Sequence, residues 1–333
     1  MRELADVARR WTAQGRAGVL GRPIVEWGFG PRNPADAVLI GGDGRCHGSL
    51  YRGACDEYLV SEAAVLPAGH TACVREVSVH HEEVTSAGLT RGGQAEVLLQ
   101  PLHTLPALWW DLLANGADAA LVTWLDESLT RAVSGVVTPG RRDGAGAYVP
   151  VQAVERAEEL LSRRRPGRDT LPVDDGLVLI EIVPAPPHLD IVGGGELAQL
   201  LLAQARLLGW SATVVSTASD ALGLLAERRD GACLVMLSRD PDIDVPVLSA
   251  ALTAGVAYVG ALGSRRTQER RHADLIGAGL DEKLLRRVHG PIGLDLGARS
   301  PAETAMAICA EVLAGLDGRE ARVLRERPGP VNV

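Results

Sequence analysis

The sequence predicts an α/β protein: a carboxyl-terminal doubly wound parallel sheet preceded by a smaller α+β amino-terminal domain. Three observations predict it. From Leu189 onward strands alternate with helices, as "LDIVG", helix, "ATVVS", helix, "GACLVMLS", helix, "VAYVGALG", helix, and that alternation argues for a parallel sheet covered on both faces. Before it, the strand in "LVLIEIVPAPPHL" ends in a link carrying Pro184, Pro186 and Pro187, whose fixed φ favours an extended path. The domain boundary falls there, between a first domain over 1–183 with a helical connection and a second over 187–333. The first half instead alternates short apolar runs with Gly, Pro and Asp punctuation.

In order, the spacing predicts a helix over Glu3 to Gln14, then a hairpin in "AVLIGGDGRCHGSL" with its turn at Gly41 to Gly44. Strands follow in "CVREVSVHH" and "AEVLLQPL", then a helix from about Leu105 to Ala114, stopped near Asn115 and Gly116, and another strand. "PGRRDGAGAY" reads as a surface loop, and "VQAVERAEELLSRRRPGRDTLPVDDG" as a helix followed by a polar connection. In the second half the first helix places Leu197, Leu200, Leu201, Ala205, Leu207 and Leu208 along one broad side, with Gly209 as its stop. The last helix opens on Ser300, Pro301 and Glu303, a capping box with proline at the first position.

Composition excludes several classes. The 333 residues, 46% hydrophobic, are enough for two buried cores. No apolar run approaches the roughly 20 residues needed to cross a bilayer, and the charged start "MRELADVARRWTAQGR" has no apolar signal core; a cytoplasmic location without membrane attachment is expected. A net charge of -8 without a basic block argues against nucleic acid and for a small ligand or protein partner. Five cysteines, widely spaced and without a CxxC pair, predict neither a disulfide framework nor a metal site. "DPDID" lacks the glycine and terminal acid of a calcium loop, and "HHEE", read as strand, splits its histidines between two faces. No residue pattern marks a catalytic group.

Four stretches carry candidate binding residues. Gly193, Gly195 and Ala198 fit G-x-G-x-x-A between strand and helix. The first glycine permits the turn, the second lets backbone approach a pyrophosphate, and the small third lets helix meet strand; the domain is Rossmann-like. Ser216 stands where NAD-binding proteins present an acid to the ribose, which leaves open NADP(H), another phosphorylated ligand, or none. In "AYVGALGSRRTQERR", Gly263 and Ser264 open a helix where Arg265 and Arg266 complete a phosphate clamp, while Arg270 and Arg271 read as a solvated face. Asp295, in the turn between Gly293 and Gly297, is able to accept hydrogen bonds from a ligand ring or hydroxyl, and its spacing fits a structural turn equally well. In the first domain Arg32 and Cys55, on Gly-rich loops, form a weaker candidate for an anionic or sulfur-bearing ligand.

Together "LIEIVPAPPHLDIVGGGELAQLL", "AYVGALGSRRTQERR" and "HGPIGLDLGARSPAETAMAICAEVLAG" resemble the carboxyl-terminal domain of the XdhC/CoxI family, the xanthine dehydrogenase accessory factors. "GFGPRNPADAVLIGGDGRCHGSLYRGACDE" and "GGQAEVLLQPL" resemble, more weakly, that family's first domain. The chain departs from the family at Glu196, where members carry histidine, at Ser216, where they carry Asp, and at Ser238 and Arg239 in a Thr-His-Asp segment. Ala54 takes the family's cysteine position in an ungapped reading, with Cys55 one residue later, and Arg91 stands where a further cysteine is common.

The resemblance implies a chaperone of molybdenum cofactor maturation. Such a protein binds molybdopterin between its domains while a cysteine desulfurase supplies the sulfido ligand, then passes it to a molybdenum hydroxylase. The alternatives are an NADP(H)-dependent oxidoreductase on the same scaffold and a nucleotide-free scaffold. Symmetric pairing into a homodimer is an expectation of class only.

Overall fold

A polar seam between two antiparallel sheets organises the first half of the chain. The computed structural model describes residues 1–29, 35–139, 141–143, 149–164, 166–227 and 231–326, with backbone alone at 81–83 and 141–143. These form two units, Met1–Pro184 and a second from Ala185.

The first unit runs α1 (Ala5–Ala13), β1 (Gly18–Trp27), β2 (Val38–Gly41), β3 (Cys46–Gly48), α2 (Asp56–Ala64), β4 (Cys73–Val79), α3 (His81–Ala87), β5 (Gly93–Pro101), α4 (Ala107–Ala114), β6 (Ala119–Asp126), β7 (Ala132–Thr138), β8 (Arg141–Asp143), α5 (Val151–Ser162), β9 (Gly167–Val173) and β10 (Gly176–Val183). Its sheets have strand orders β3-β2-β1-β5-β4 and β8-β7-β6-β10-β9, with every neighbouring pair antiparallel. Period-two alternation sorts the side chains. Leu20 and Leu39 of the first sheet share a core with Leu121 and Val136 of the second. On the outer faces, Val38, Ile40, Val97 and Leu99 pack with Leu59 of α2, and Val122, Val178 and Ile180 pack with Ala153, Val154 and Leu161 of α5.

The inner seam also buries charge. Arg22, fully buried in β1, donates to Glu181 of β10 and to Gln100 of β5. Gln100 donates onward to Ser134 (3.1 Å), which is 2.9 Å from the Thr123 hydroxyl. Burial pulls the Arg22 guanidinium below its ordinary value, with the Glu181 charge opposing the shift.

Several expectations change here. The amino-terminal unit is the longer of the two, not the smaller, because two sheets rather than one build its core. The polar connection before β10 is strand β9, paired with β10 from Gly167 to Val173. β9 is an edge strand, so Pro172 sits in a sheet without breaking it. Within "PGRRDGAGAY", Arg141–Asp143 pairs with β7 as β8 rather than forming loop; 140 and 144–148 lie outside the described residues. "HHEE" is not strand, since α3 begins at His81. The first helix starts at Ala5 after a 3-10 turn over Arg2–Leu4.

The second unit runs β11 (His188–Val192), α6 (Glu196–Leu207), β12 (Ser211–Val215), α7 (Ala218–Glu227), β13 (Ala232–Met236), α8 (Pro241–Ala254), β14 (Tyr258–Ala261), α9 (Arg265–Gly277), α10 (Glu282–Leu285), β15 (Val288–His289) and α11 (Pro301–Leu316). All five strands are parallel, in the order β12-β11-β13-β14-β15. Leu189, Ile191 and Val235 pack against Ala198, Leu201 and Ala205 of α6 and Ile308 and Val312 of α11. Val192, Leu234 and Met236 face Leu225 of α7, Leu248 of α8 and Leu275 of α9. The sheet is therefore doubly wound, as expected. The buried face of α6 is narrower than its leucines suggest: Leu207 is 81% exposed and Leu208 41%.

The expected capping box forms. The Ser300 hydroxyl accepts from the Glu303 amide (3.2 Å) and Glu303 accepts from the Ser300 amide (2.9 Å). Ser300→Ala is expected to lower stability by about 1 kcal/mol, read as a fall in the thermal midpoint of the second unit.

Candidate functional site

Topology points to a candidate site. The chain leaves β11 for β12 on one side and returns past it to β13 on the other, so the strand order reverses between β11 and β13. In open parallel sheets a ligand binds outside the carboxyl ends of the strands at that reversal. Three turns meet there: Gly193–Gly195 after β11, Leu237–Asp240 after β13 and Leu262–Ser264 after β14.

The first turn is shaped by close approach. Gly193 has φ +126, and a Cβ on it would stand 3.0 Å from Leu237 Cβ and 3.1 Å from the Ser238 amide nitrogen. Its own amide donates to Val215 (2.8 Å), while Leu237 and Ser238 donate to Val192 (2.8 and 3.0 Å), lacing the three strand ends together. Gly195, at φ +91, is the cap residue of α6 and supplies no side-chain acceptor. The first-turn amides of a helix have no intrahelical partner, so those of α6 are left for water or an anion. Ala198 is fully buried against the sheet.

The third turn differs. Gly263 has φ +144 with its missing Cβ 2.8 Å from Thr267 Cγ2. The Ser264 hydroxyl caps α9 by accepting from the Thr267 amide (3.3 Å), so its first role is to start the helix. Arg265 and Arg266 are exposed, and neither has an ion pair among the described residues. Asp240 likewise caps α8 by accepting from the Asp242 amide (3.0 Å).

Beneath these turns lies a residue read from sequence as solvated. Arg271 is 3% exposed. Its guanidinium binds Asp244 at 2.6 and 2.9 Å and Gln268 at 2.7 Å, and donates to the carbonyls of Ser238 (3.1 Å) and Leu262 (3.3 Å). One buried cation thus ties the turn after β13 to the turn after β14. Burial pushes the Asp244 carboxyl above its ordinary value, with Arg271 opposing that rise. Arg270, one residue earlier, is exposed as expected and reaches the Arg239 carbonyl (3.3 Å).

The remaining candidates divide. Ser216 is exposed at the end of β12, and beside it Thr217 exchanges hydrogen bonds with Asp220 (2.7 and 3.1 Å), starting α7. Asp295 is exposed on the segment after β15. Cys55 is 7% exposed and packs in the core with Leu59 and Val77. Arg32 lies outside the described residues. The crevice charges are mixed: Glu196 at the start of α6 opposes an anion that Arg239, Arg265 and Arg266 favour.

The first unit carries two cavities that sequence reasoning missed. One, of about 350 Å³, is lined by Glu26, Phe29, Arg168 and Thr170. The other, of about 400 Å³, is lined by Asp36, His47, Ser49 and Arg52. Beside the latter, Tyr51 and Arg52 both hold positive φ (51 and 54), a conformation that costs a non-glycine residue of order 1 kcal/mol or more. No motif announces them, since the first joins β1 to β9 and the second joins the turn over Arg2–Leu4 to residues 36–52.

A family model described as the XdhC Rossmann domain matches residues 189–312, the stretch that contains all three turns and the Arg271 anchor. The second unit carries an XdhC-type Rossmann domain. The chain shares 26% identity over 199 residues with the uncharacterized protein YqeB of Escherichia coli, covering 50% of this chain and 37% of that protein. It shares 34% identity over 79 residues with the molybdenum cofactor insertion chaperone PaoD of Escherichia coli, covering 24% of this chain and 25% of that one. The matches thus span about a third and a quarter of these relatives' own lengths. In fold, it is similar to a crystal structure from Bacillus halodurans described as a xanthine dehydrogenase, with a TM-score of 0.62 at 18% identity over 97% of this chain and 98% of that chain.

Proposed function

We propose that this chain is an accessory protein that binds molybdenum cofactor as cargo at the carboxyl-end crevice of its second unit and inserts it into a molybdenum hydroxylase of the xanthine dehydrogenase type. The observation that carries the reading is the family match over 189–312, where the dinucleotide-type turn is kept while Ser216 replaces the ribose-binding acid. The likeness to PaoD, an insertion chaperone, supports the cargo. Molybdopterin offers a phosphate and a polar ring system. The open amides of α6, between Gly193 and Ala198, suit the phosphate, and Arg265 and Arg266 add charge for it. Ser264, Gly263 and Asp295 shape the far wall in this reading. A cysteine desulfurase is the sulfur source, and delivery needs a protein surface on the recipient rather than a reaction on this chain.

The test is calorimetric titration of the purified chain, under anaerobic conditions, with molybdopterin cofactor and with NADP(H). Tight cofactor binding is expected, weakened about tenfold or more by Arg265→Ala through loss of one charge-assisted contact. Binding of NADP(H) with no response to molybdopterin would overturn the chaperone and make this an oxidoreductase.

A further inference from the structure

The segment between β15 and α11 runs as a wall beside the carboxyl end of β14, next to the turn that carries Ser264 and Arg265, and three successive amides fix it. Ile292 donates to the Ala261 carbonyl at the end of β14 (3.0 Å), and Leu294 donates to the Ala307 carbonyl of α11 (3.2 Å). Between them Gly293 donates not to backbone but to the Glu311 carboxylate (2.6 Å). The other Glu311 oxygen lies 3.1 Å from His289 Nδ1 at the end of β15. Tyr258 of β14 stacks on that imidazole, with centroids 4.5 Å apart.

Glu311 is the polar exception on an otherwise apolar contact surface. Its helix neighbours Ala307, Ile308 and Val312 are buried in the core. Burial pushes the Glu311 carboxyl up, yet His289, the Gly293 amide and Tyr258 together outweigh it and hold the group below the usual carboxylate range. Both oxygens are therefore occupied in organising the wall. Gly293 sits at φ +113, a region open to glycine that has wide freedom around it. Without a fixed acceptor the amide has no single orientation to keep. Asp295 follows two residues later, exposed.

We propose that Glu311 is a positioning residue for the ligand: its carboxylate, reaching from α11, sets the conformation of the 290–297 wall and with it where Asp295 stands at the crevice. This rests on the crevice being the cargo site. The other two anchors are backbone to backbone, so Glu311 is the one that a side-chain change can release.

The test compares the full-length protein with Glu311→Ala and Glu311→Gln by residue-resolved amide exchange, alongside anaerobic titration with molybdopterin. Glutamine keeps an acceptor for Gly293 while removing the charge. Exchange at Gly293 is expected to rise about tenfold or more in the alanine variant, with β14 and α11 amides unchanged, and to stay within a few-fold of wild type in the glutamine variant. Molybdopterin affinity is expected to fall about tenfold in the alanine variant and to recover largely in the glutamine variant. Wild-type exchange at Gly293 in the alanine variant would overturn the proposal, as would unchanged affinity despite a loosened wall. Should the alanine variant not fold, a wild-type Gly293 amide exchanging like an open loop overturns it equally. Failure of the wild-type protein to bind molybdopterin would remove the cargo reading, while the exchange comparison still decides what Glu311 does to the wall.

Discussion

Replacing Arg271 by alanine is expected to destabilise the second unit by about 3–5 kcal/mol. The substitution leaves Asp244 buried with no counter-charge, and it strips donors from the carbonyls of Ser238 and Leu262. Breaking a buried pair from one side costs more than the pair contributes, because the remaining charge is stranded in a medium that cannot solvate it. The paired variant Arg271→Met with Asp244→Leu then separates the two roles. It removes both charges, so recovery should be substantial, but the two carbonyls remain without their donor at about 1–3 kcal/mol for each that water cannot reach. Urea unfolding followed by exchange of the β13 and β14 amides reads the effect within this unit. A loss below 1 kcal/mol in Arg271→Ala would mean that the clamp does not hold the turns together.

The second large effect is expected in the first unit. Arg22→Met should cost about 3–5 kcal/mol, since Glu181, 2% exposed, loses its buried partner and keeps Arg168 at 3.4 Å. Gln100 loses its donor at the same stroke. Adding Glu181→Leu removes the stranded charge, and recovery of most of the loss is expected, short of the contribution of the orphaned Gln100 oxygen. Tryptophan fluorescence follows this unit, because Trp11, Trp27, Trp109, Trp110 and Trp124 all lie in it. A double variant as unstable as Arg22→Met alone would show that the seam needs its polar network intact, not merely its charges balanced.

What could be read from the sequence follows the range of the interactions. Gly193, Gly195 and Ala198 were legible because a tight turn between strand and helix is set by residues adjacent in the chain. The Ser300 and Glu303 box was legible for the same reason. By contrast β1, a central strand, was not singled out, since Gly21, Arg22 and Pro23 interrupt its apolar run. The structure accommodates Pro23 beside a register shift between Pro23 and Val25. β9 was hidden by its polar residues and Pro172, which an edge strand tolerates.

Arg270 and Arg271 show the limit most plainly. They are adjacent, identical in type, and lie on a helix whose low apolar content gives no stripe to mark the inward face. A turn of about 100° per residue sends one to water and the other under the crevice. Sequence alone determined the doubly wound second unit, its glycine turn and its helix starts, since local backbone geometry and period decide these. Only the tertiary structure decided that Arg271 ties the turns after β13 and β14 together, that Glu311 accepts from the Gly293 amide, that Cys55 packs in a core, and that Arg22 spans two sheets. Each depends on which distant carbonyl, carboxylate or apolar surface the fold brings against the side chain, and that information is absent from spacing.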